Sequence, residues 1–230
     1  MSEVQNHLIE CLPQRARASL LAVCEPVQLA LSEVLCEAQS PTRHVYFPTE
    51  GFISLVTSVD HHSGLEVGMV GREGMVGAQL ALGVATSPLR ALVQGPGACW
   101  RVGVAAFKAE LARSPALGRL LDRYLYVLMA QTSCAAGCLR FHLIGPRLAR
   151  WLLMSQDRAH HDRFHVTHEF LAYMMGVRRV GVTQAAGDLQ RRGLITYHRG
   201  ELTVLDRSGL EHAACSCYAL DCSTYRRHLA

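Results

Sequence analysis

The 230-residue sequence lacks any apolar run of the roughly 18 residues that a membrane-spanning helix needs. Its N-terminus also lacks the basic segment followed by an apolar core that marks a secretory signal peptide. Only 18% of the residues are charged and 50% are hydrophobic, which is the composition of a globular protein rather than a disordered one. We therefore expect a soluble, cytoplasmic protein with no membrane partner.

Recognisable catalytic motifs are missing as well. Neither a Gly-rich phosphate-binding loop nor a Gly-x-Ser-x-Gly sequence occurs. His168-Glu169 begins like a zinc-protease motif, but Ala172 stands where the second histidine would be needed. We therefore expect no enzymatic activity.

Lysine is absent from residues 144–230, yet this part carries all of the excess positive charge. Residues 1–143 hold 11 basic and 11 acidic side chains, whereas residues 144–230 hold 12 arginines and 8 acidic side chains. A neutral part joined to a basic part suggests that the basic part binds a polyanion.

The spacing of apolar residues changes along the chain. Helical spacing predicts one or two short helices over residues 7–24 and another over residues 105–112. Between them, short apolar stretches alternate with turn residues, which is typical of an antiparallel barrel or sandwich. The predicted strands contain Val45–Phe47, Phe52–Val59, Leu65–Val70, Ala91–Val93 and Trp100–Val104.

A long helix is predicted to begin after Ser114-Pro115, because Ser at the N-cap and Pro at the first helical position are both favoured. It would run for roughly 26 residues, or about 39 Å. Its apolar positions alternate in steps of three and four, as in a coiled coil, and predict a dimer interface with the same helix of a second subunit. The alternative is a core helix within one subunit. The interface residues would be Leu117, Leu121, Tyr124, Leu128, Ala135 and Leu139.

Residues 167–199 fit a helix-turn-helix followed by a hairpin. Thr167 is a good N-cap, and Gly176 permits the left-handed backbone of the tight turn. Arg178 and Arg179 lie at the start of the second helix, where arginine suits guanine edges and phosphates in the major groove. Arg199-Gly200 forms the turn of a small hairpin, the wing. The residues predicted to face inward are Leu171, Ala172, Met175, Val177, Val182, Ala185 and Leu189.

With these motifs the chain resembles the Crp/Fnr superfamily of bacterial transcription regulators over nearly its whole length. The resemblance implies an α+β fold: an antiparallel, cyclic-nucleotide-binding-like β-roll in residues 1–114, a dimerisation helix in 115–143 and a winged helix-turn-helix in 144–230. It also implies a homodimer on a pseudo-palindromic DNA operator, with RNA polymerase as a partner if the protein is an activator. By position, Arg179 matches the guanine-reading arginine. The DNA-binding candidates are Thr167, Arg178, Arg179, Val180, Thr183, Gln184, Arg191, His198 and Arg199.

The effector region departs from the cyclic-nucleotide members of that family. Ala78 stands where they have Glu and Ser87 where they have Arg, while Arg90 is offset by an odd number of residues and should face away. A cyclic phosphate would lack its charged partner, so we expect a member that does not bind cyclic AMP. The remaining pocket would be lined by Val76, Ala78, Leu80, Leu82, Ser87, Leu92, Thr132 and Ser133.

The nine cysteines are an odd number in a chain that is not a small secreted scaffold, so we expect free thiols. Cys134, Cys138 and His142 share one stripe of the long helix, and this spacing suits a metal, haem or redox sensor or simple packing. A second group, His212, Cys215, Cys217 and Cys222, lacks a common zinc spacing. No cofactor is therefore predicted, although haem or a metal stays an alternative, as does a ligand sensor with a vestigial DNA head.

Overall fold

A computed structural model of the chain describes residues 6–60, 64–159 and 161–229. The outer bounds predicted for the first and last domains, residues 1 and 230, lie outside the described residues. The chain begins with two short helices, α1 (His7–Glu10) and α2 (Gln14–Leu21), in the region where helical spacing predicts them. Asn6 caps α1 by accepting a hydrogen bond from the Ile9 N–H.

Seven strands then form two antiparallel sheets, as the alternating texture of residues 27–104 predicts. One sheet has the order β1-β7-β3 and the other the order β2-β6-β4-β5. All of the predicted strands are present. The structure adds β1 and β2, whose apolar patterns were too weak to predict a strand. The strands are β1 Glu25–Leu29, β2 Val34–Cys36, β3 His44–Pro48, β4 Phe52–Thr57, β5 Leu65–Val70, β6 Arg90–Gly95 and β7 Gly97–Gly103.

The two sheets enclose an apolar interior. Between β5 and β6 the chain forms a short 3₁₀-helix, Ala78–Leu82. The inward side chains of the strands pack against one another in one cluster. That cluster is formed by Leu29, Tyr46, Ile53, Val70, Val76, Ala91, Val93 and Cys99.

Three helices follow: α3 (Val104–Arg113), α4 (Pro115–Phe141) and α5 (Ile144–Ala159). The predicted cap of α4 is confirmed, because the Ser114 side chain accepts from the Leu117 N–H and Pro115 occupies the first turn. The break between α4 and α5 falls at residues 142–143, and Gly145-Pro146 lies within the first turn of α5. Proline is tolerated there because its position needs no N–H donor.

The predicted interface of the long helix is wrong for three of its six residues. Leu117, Leu121 and Tyr124 are 0–3% exposed in a single chain, where they pack against the β-roll and the N-terminal helices. Since these side chains are already covered, they are not available to a second subunit. Leu128, Ala135 and Leu139 are half-buried. A step pattern of three and four is the same for a core helix and a coiled coil, so spacing alone could not distinguish the two.

The C-terminal part contains β8 (Arg163–His165), α6 (His168–Met175), α7 (Arg179–Arg191), β9 (Ile195–His198), β10 (Glu201–Val204), α8 (Arg207–Ala213) and α9 (Cys217–Leu229). Strands β8, β10 and β9 form a small antiparallel sheet. Asp206 caps α8 by accepting a hydrogen bond from the Gly209 N–H. None of the helices in the described ranges is both long and apolar enough to cross a membrane.

The last helix folds back along α4 and reaches the β-roll. The Tyr225 hydroxyl donates to the Glu73 carbonyl oxygen at 2.8 Å and lies 2.7 Å from His7 Nδ1. Arg150 of α5 forms an ion pair with Asp221 of α9 at 2.6 Å. Leu229 is buried in the same cluster as the N-terminal helices. The C-terminal segment therefore connects the winged helix, the long helix and the β-roll.

Candidate nucleic-acid interface

The two helices of the predicted helix-turn-helix are positioned by a cap, a glycine turn and a shared core. Thr167 Oγ1 accepts from the Phe170 N–H at 3.1 Å and so fixes the start of α6. Gly176 ends α6 with a φ of +61°, in the left-handed region that favours glycine. Six of the seven predicted inward residues, Leu171, Ala172, Met175, Val182, Ala185 and Leu189, are buried in one cluster, and the seventh, Val177, is half-buried against it.

The outward face of α7 presents the residues that the sequence selects for DNA. Arg178 is its N-cap, and the side chains of Arg179, Val180 and Gln184 are exposed. Among the residues that the structure describes, neither Arg178 nor Arg179 forms an ion pair. All nine DNA-binding candidates are exposed: Thr167, Arg178, Arg179, Val180, Thr183, Gln184, Arg191, His198 and Arg199.

Two of these candidates already have partners within the chain. Arg191 pairs with Asp188 one turn earlier on α7. The Thr183 hydroxyl lies 3.0 Å from His168 Nδ1 and 3.1 Å from the Arg179 carbonyl oxygen, to which it donates. Both residues must exchange these partners before they contact DNA, so they are weaker candidates than Arg178 and Arg179.

His168 is a positioning residue that the sequence did not single out for this role. Its ring stacks on Tyr197 of the wing, with centroids 4.4 Å apart and planes 11° from parallel. Burial, with a smaller contribution from Arg179, lowers the pKa of His168 and so favours the neutral form of the ring. From the start of α6, the ring therefore contacts both α7 and β9. In the sequence, the only signal near this residue was the predicted N-cap at Thr167.

The wing is the predicted hairpin with one strand added. Arg199 and Gly200 have φ values of +50° and +86°, which matches the two-residue turns that favour glycine. The missed strand β8 pairs with β10, and its residues Arg163 and His165 both contact the Glu201 carboxylate. His198 and Arg199 lie exposed at the tip of the wing.

The winged helix rests against the β-roll through several specific contacts. Glu66 of β5 accepts from Trp151 Nε1 at 2.9 Å and from Ser54 Oγ at 2.5 Å. Arg158 of α5 forms a buried ion pair with Glu73 at 2.8 Å. Burial raises the pKa of Glu66 to about 7, although the two hydrogen bonds and Arg158 oppose the shift.

A groove of about 1550 Å³ separates the start of α7 from the β-roll. The end of α4 forms part of its floor. The residues that line it include Thr57, Leu65, Leu139, Ile144, Arg178 and Val180.

The predicted effector pocket does not assemble. Val76 belongs to the interior of the β-roll, whereas Ala78 and Leu80 belong to the cluster beneath α4. Leu92 packs with Val56 against Met174 of α6. Of the others, Leu82 is 65% exposed and Ser87 hydrogen-bonds within its own turn. The hydroxyls of Thr132 and Ser133 donate to the carbonyls of Leu128 and Met129 on α4 itself.

Arg90 forms an ion pair with the exposed Glu37, whose Oε2 lies 3.3 Å from Arg90 Nε.

Three cysteines and one histidine, drawn from both predicted groups, form a single cluster. All nine cysteines are free thiols. Cys138, His142, Cys215 and Cys217 place their donor atoms within 4.8 Å of one another. Cys134 instead contacts the Cys217 carbonyl, and His212 Nδ1 lies 2.7 Å from the Ser208 carbonyl oxygen, so neither predicted group is correct as a set. Burial raises the pKa of Cys215 and Cys217, which keeps these thiols neutral when no cation is near.

Comparison with known proteins agrees with this architecture. Residues 146–213 match the Crp-like helix-turn-helix domain family. No curated protein matches the chain in sequence. The c-di-GMP-responsive global regulator CLP of Xanthomonas campestris is 16% identical, with a TM-score of 0.67 over 84% of this chain and 99% of that chain.

Two further solved structures are similar to the same extent. FixK2 from Bradyrhizobium japonicum is 14% identical, with a TM-score of 0.65 over 84% of this chain and 98% of that one. A Crp/Fnr-family regulator from Thermus thermophilus is 22% identical, with a TM-score of 0.67 over 83% and 98%. At such identities the solved structures establish the fold, and the matched domain establishes the type of DNA-binding unit. Residues 146–213 thus form a Crp-like helix-turn-helix domain, within a chain whose overall fold is that of these solved regulators.

Proposed function

We propose that the protein binds a pseudo-palindromic operator as a homodimer, in the cytoplasm, and regulates transcription without catalysing a reaction. The observation that carries the proposal is the pair Arg178 and Arg179 at the exposed start of α7, with no ion-pair partner among the described residues. Two unpaired guanidinium groups at the N-terminus of an exposed recognition helix suit phosphates and guanine edges. If the protein is an activator, RNA polymerase is its further partner.

The test compares three arginine variants on an operator fragment and on random DNA. Arg179→Ala should lose about 1–3 kcal/mol of specific binding, because a bidentate contact to guanine would be removed. Arg199→Ala should weaken both DNAs alike and reduce the salt dependence by about one unit for each phosphate that the wing no longer neutralises. Arg15→Ala, at an exposed arginine of α2 that forms no ion pair among the described residues, is the matched control. If Arg179→Ala weakens both DNAs equally, Arg179 does not read bases.

The homodimer is proposed through the face of α4 that the subunit leaves uncovered. Tyr126, Met129, Ser133 and Ala136 are exposed, and successive members of this stripe are three or four residues apart, as a helix–helix seam requires. This stripe replaces Leu117, Leu121 and Tyr124 of the predicted interface. Leu128, Ala135 and Leu139 lie at the side of the helix and would flank it.

Sedimentation checks this assembly. Met129→Glu places a charge in the proposed interface, and an unpaired charge without water costs several kcal/mol, so the dimer should dissociate. Leu82→Glu is the matched control, because its side chain is 65% exposed in the β-roll. A wild-type monomer at micromolar concentration, or equal effects of the two variants, would overturn the proposed interface.

We also propose that cyclic AMP is not the effector. The inward side chains of the β-roll form an apolar cluster, Ala78 is buried in the adjoining cluster, and the nearby cation Arg90 is paired with Glu37. A buried cyclic phosphate would therefore lack a charged partner, which costs several kcal/mol, or about 10³-fold in affinity. Isothermal titration should show no micromolar binding. Micromolar binding, or a gain in DNA affinity with cyclic AMP, contradicts this proposal.

An effector of this protein would act by changing how the winged helix rests on the β-roll. The contacts available for that are Glu66 with Trp151 and Arg158 with Glu73, which join the two units directly. A gel-shift with Trp151→Phe, which removes the N–H donor, should show an altered DNA affinity if the contact matters to regulation. If Trp151→Phe and the wild type bind DNA with equal affinity, both with and without cell extract, the Glu66–Trp151 contact takes no part in regulation.

A further inference from the structure

Four donor atoms of the kind that bind zinc converge where α4 ends. Cys138 and His142 lie one helical turn apart at the end of α4. Cys215 lies in the turn between α8 and α9, and Cys217 is the first residue of α9. The Sγ atoms of Cys138 and Cys215 are 3.5 Å apart, and Cys217 Sγ is 3.5 Å from His142 Nδ1. All four donor atoms lie within 4.8 Å of one another.

The two 3.5 Å distances are close to the edges of a single tetrahedral metal site, and the 4.8 Å limit on the others requires the donors to move inward by about 1 Å at most. With Zn–S bonds of about 2.3 Å and a Zn–N bond of about 2.0–2.1 Å, a tetrahedron has S–S edges of about 3.8 Å and S–N edges of about 3.6 Å. Such a set of donors leaves room for one ion at its centre. Three thiolates and one imidazole form a closed, soft set that favours Zn²⁺ over the hard cations Mg²⁺ and Ca²⁺.

The charges around the cluster fit a metal with three thiolates. Zn²⁺ with three thiolates and a neutral histidine has a net charge of −1. Arg147 and Arg150 line a small cavity together with Cys138. Arg150 is already paired with Asp221, whereas Arg147 is half-buried and, in the parts of the chain that the structure describes, donates only to the Met175 carbonyl oxygen. A negative metal centre would supply the counter-charge that Arg147 lacks.

From this geometry we propose that Cys138, His142, Cys215 and Cys217 bind one Zn²⁺ ion per chain. Cys215 and Cys217 lie beyond residue 213, where the match to the helix-turn-helix family ends. The Cys215 N–H also donates to the Pro146 carbonyl oxygen at 3.3 Å, in the first turn of α5. The ion would therefore hold the end of the long helix, the start of the winged helix and the C-terminal segment together at the joint between the two units.

Metal content of the purified full-length chain provides the test. We expect one zinc per chain by elemental analysis, and tetrahedral thiolate absorption bands after replacement of zinc by Co²⁺. Cys138→Ser and Cys215→Ser should lose the metal and the bands. Cys134→Ser and Cys222→Ser are matched controls on the same helices, α4 and α9, and should retain one equivalent. His142→Cys should give a four-thiolate site and shift the cobalt spectrum, which a purely structural histidine would not do.

Several results would overturn the proposal, and none depends on DNA binding. A wild-type chain with all nine thiols reduced and much less than one equivalent of zinc or cobalt bound would exclude the site. Loss of two titratable thiols without metal would show a Cys138–Cys215 disulfide instead, which requires the sulfurs to approach to about 2.05 Å. Equal metal loss in the donor and control variants, with folding checked by circular dichroism, would show that the effect is not specific to these four residues.

Discussion

Replacing Glu66 by Gln should remove a pH dependence from the stability of the protein. The Glu66 carboxyl group lies half-buried between the β-roll and the winged helix, where it accepts from Trp151 Nε1 and Ser54 Oγ. Desolvation raises its pKa from the usual 4.5 to about 7, with the two hydrogen bonds, Arg158 and Arg150 acting in the opposite direction. Glutamine keeps the size and one acceptor oxygen, replaces the second oxygen by an NH2 group that can donate to the Ser54 hydroxyl, and does not titrate.

The direction of the effect follows from proton linkage. Because the pKa of Glu66 is higher in the folded chain than in the unfolded chain, the folded state binds the proton more tightly. The resulting stabilisation is complete below pH 4.5 and is lost as the pH rises to about 7. A shift of about 2.5 units corresponds to about 3 kcal/mol at 1.36 kcal/mol per unit. Partial exposure of the group reduces the expected loss to about 2 kcal/mol.

Guanidinium unfolding of both proteins at about pH 5 and about pH 8 measures this loss. The free energy of unfolding of wild type, relative to Glu66→Gln, should fall by about 2 kcal/mol between the two conditions. Glu25→Gln is the control, because Glu25 is fully exposed and its pKa is lowered by Arg101 rather than raised. If the free energies of unfolding of wild type and Glu66→Gln change with pH in parallel, the Glu66 carboxyl group is ionised at both pH values and burial does not raise its pKa to about 7.

Two further variants test the core and the helix-turn-helix. Leu121→Ala removes a fully buried side chain of α4 and should lower the free energy of unfolding by about 2–5 kcal/mol in denaturant unfolding. Leu82→Ala is the control, because the Leu82 side chain is 65% exposed and its loss should cost about 0.5 kcal/mol or less. Similar losses in the two variants would contradict the orientation of α4. Thr167→Ala removes the hydroxyl that accepts from the Phe170 N–H and should cost about 1 kcal/mol, with Thr167→Ser near wild type; equal stability of the two variants would exclude the cap.

Most elements were predictable because their signals are local. Helical spacing, the Ser114 cap and Gly176 each act on a few neighbouring residues, and α4, α6, α7 and the wing form where these signals predict them. Strands β1 and β8 were missed because each is short and carries few apolar residues, so that pairing with β7 and β10 rather than local pattern determines them. The exposed candidates on α7 were predictable for the same reason, since their place follows from the inward residues of the same helix.

Contacts between distant residues were not predictable. The apolar spacing of α4 fits either a core helix or a dimer interface. Packing of the β-roll and α9 against α4 determines which face of the helix is buried. The apolar residues chosen for an effector pocket separate into different clusters, since a similar polarity does not imply a common location. His168 gains its role only when Tyr197 and Thr183, which are 29 and 15 residues away, are brought to its ring.

The sequence by itself determined the class of this protein: a β-roll, a long helix and an arginine-rich helix-turn-helix, each specified by periodicity, caps and turn residues that act over a few residues. The tertiary structure alone decided which residues meet. It joins part of each predicted cysteine group into one cluster, because α9 folds back and brings Cys215 and Cys217 to the end of α4, more than 70 residues earlier in the chain. Spacing describes neighbours on one element, whereas a site built from two elements depends on how the whole chain packs.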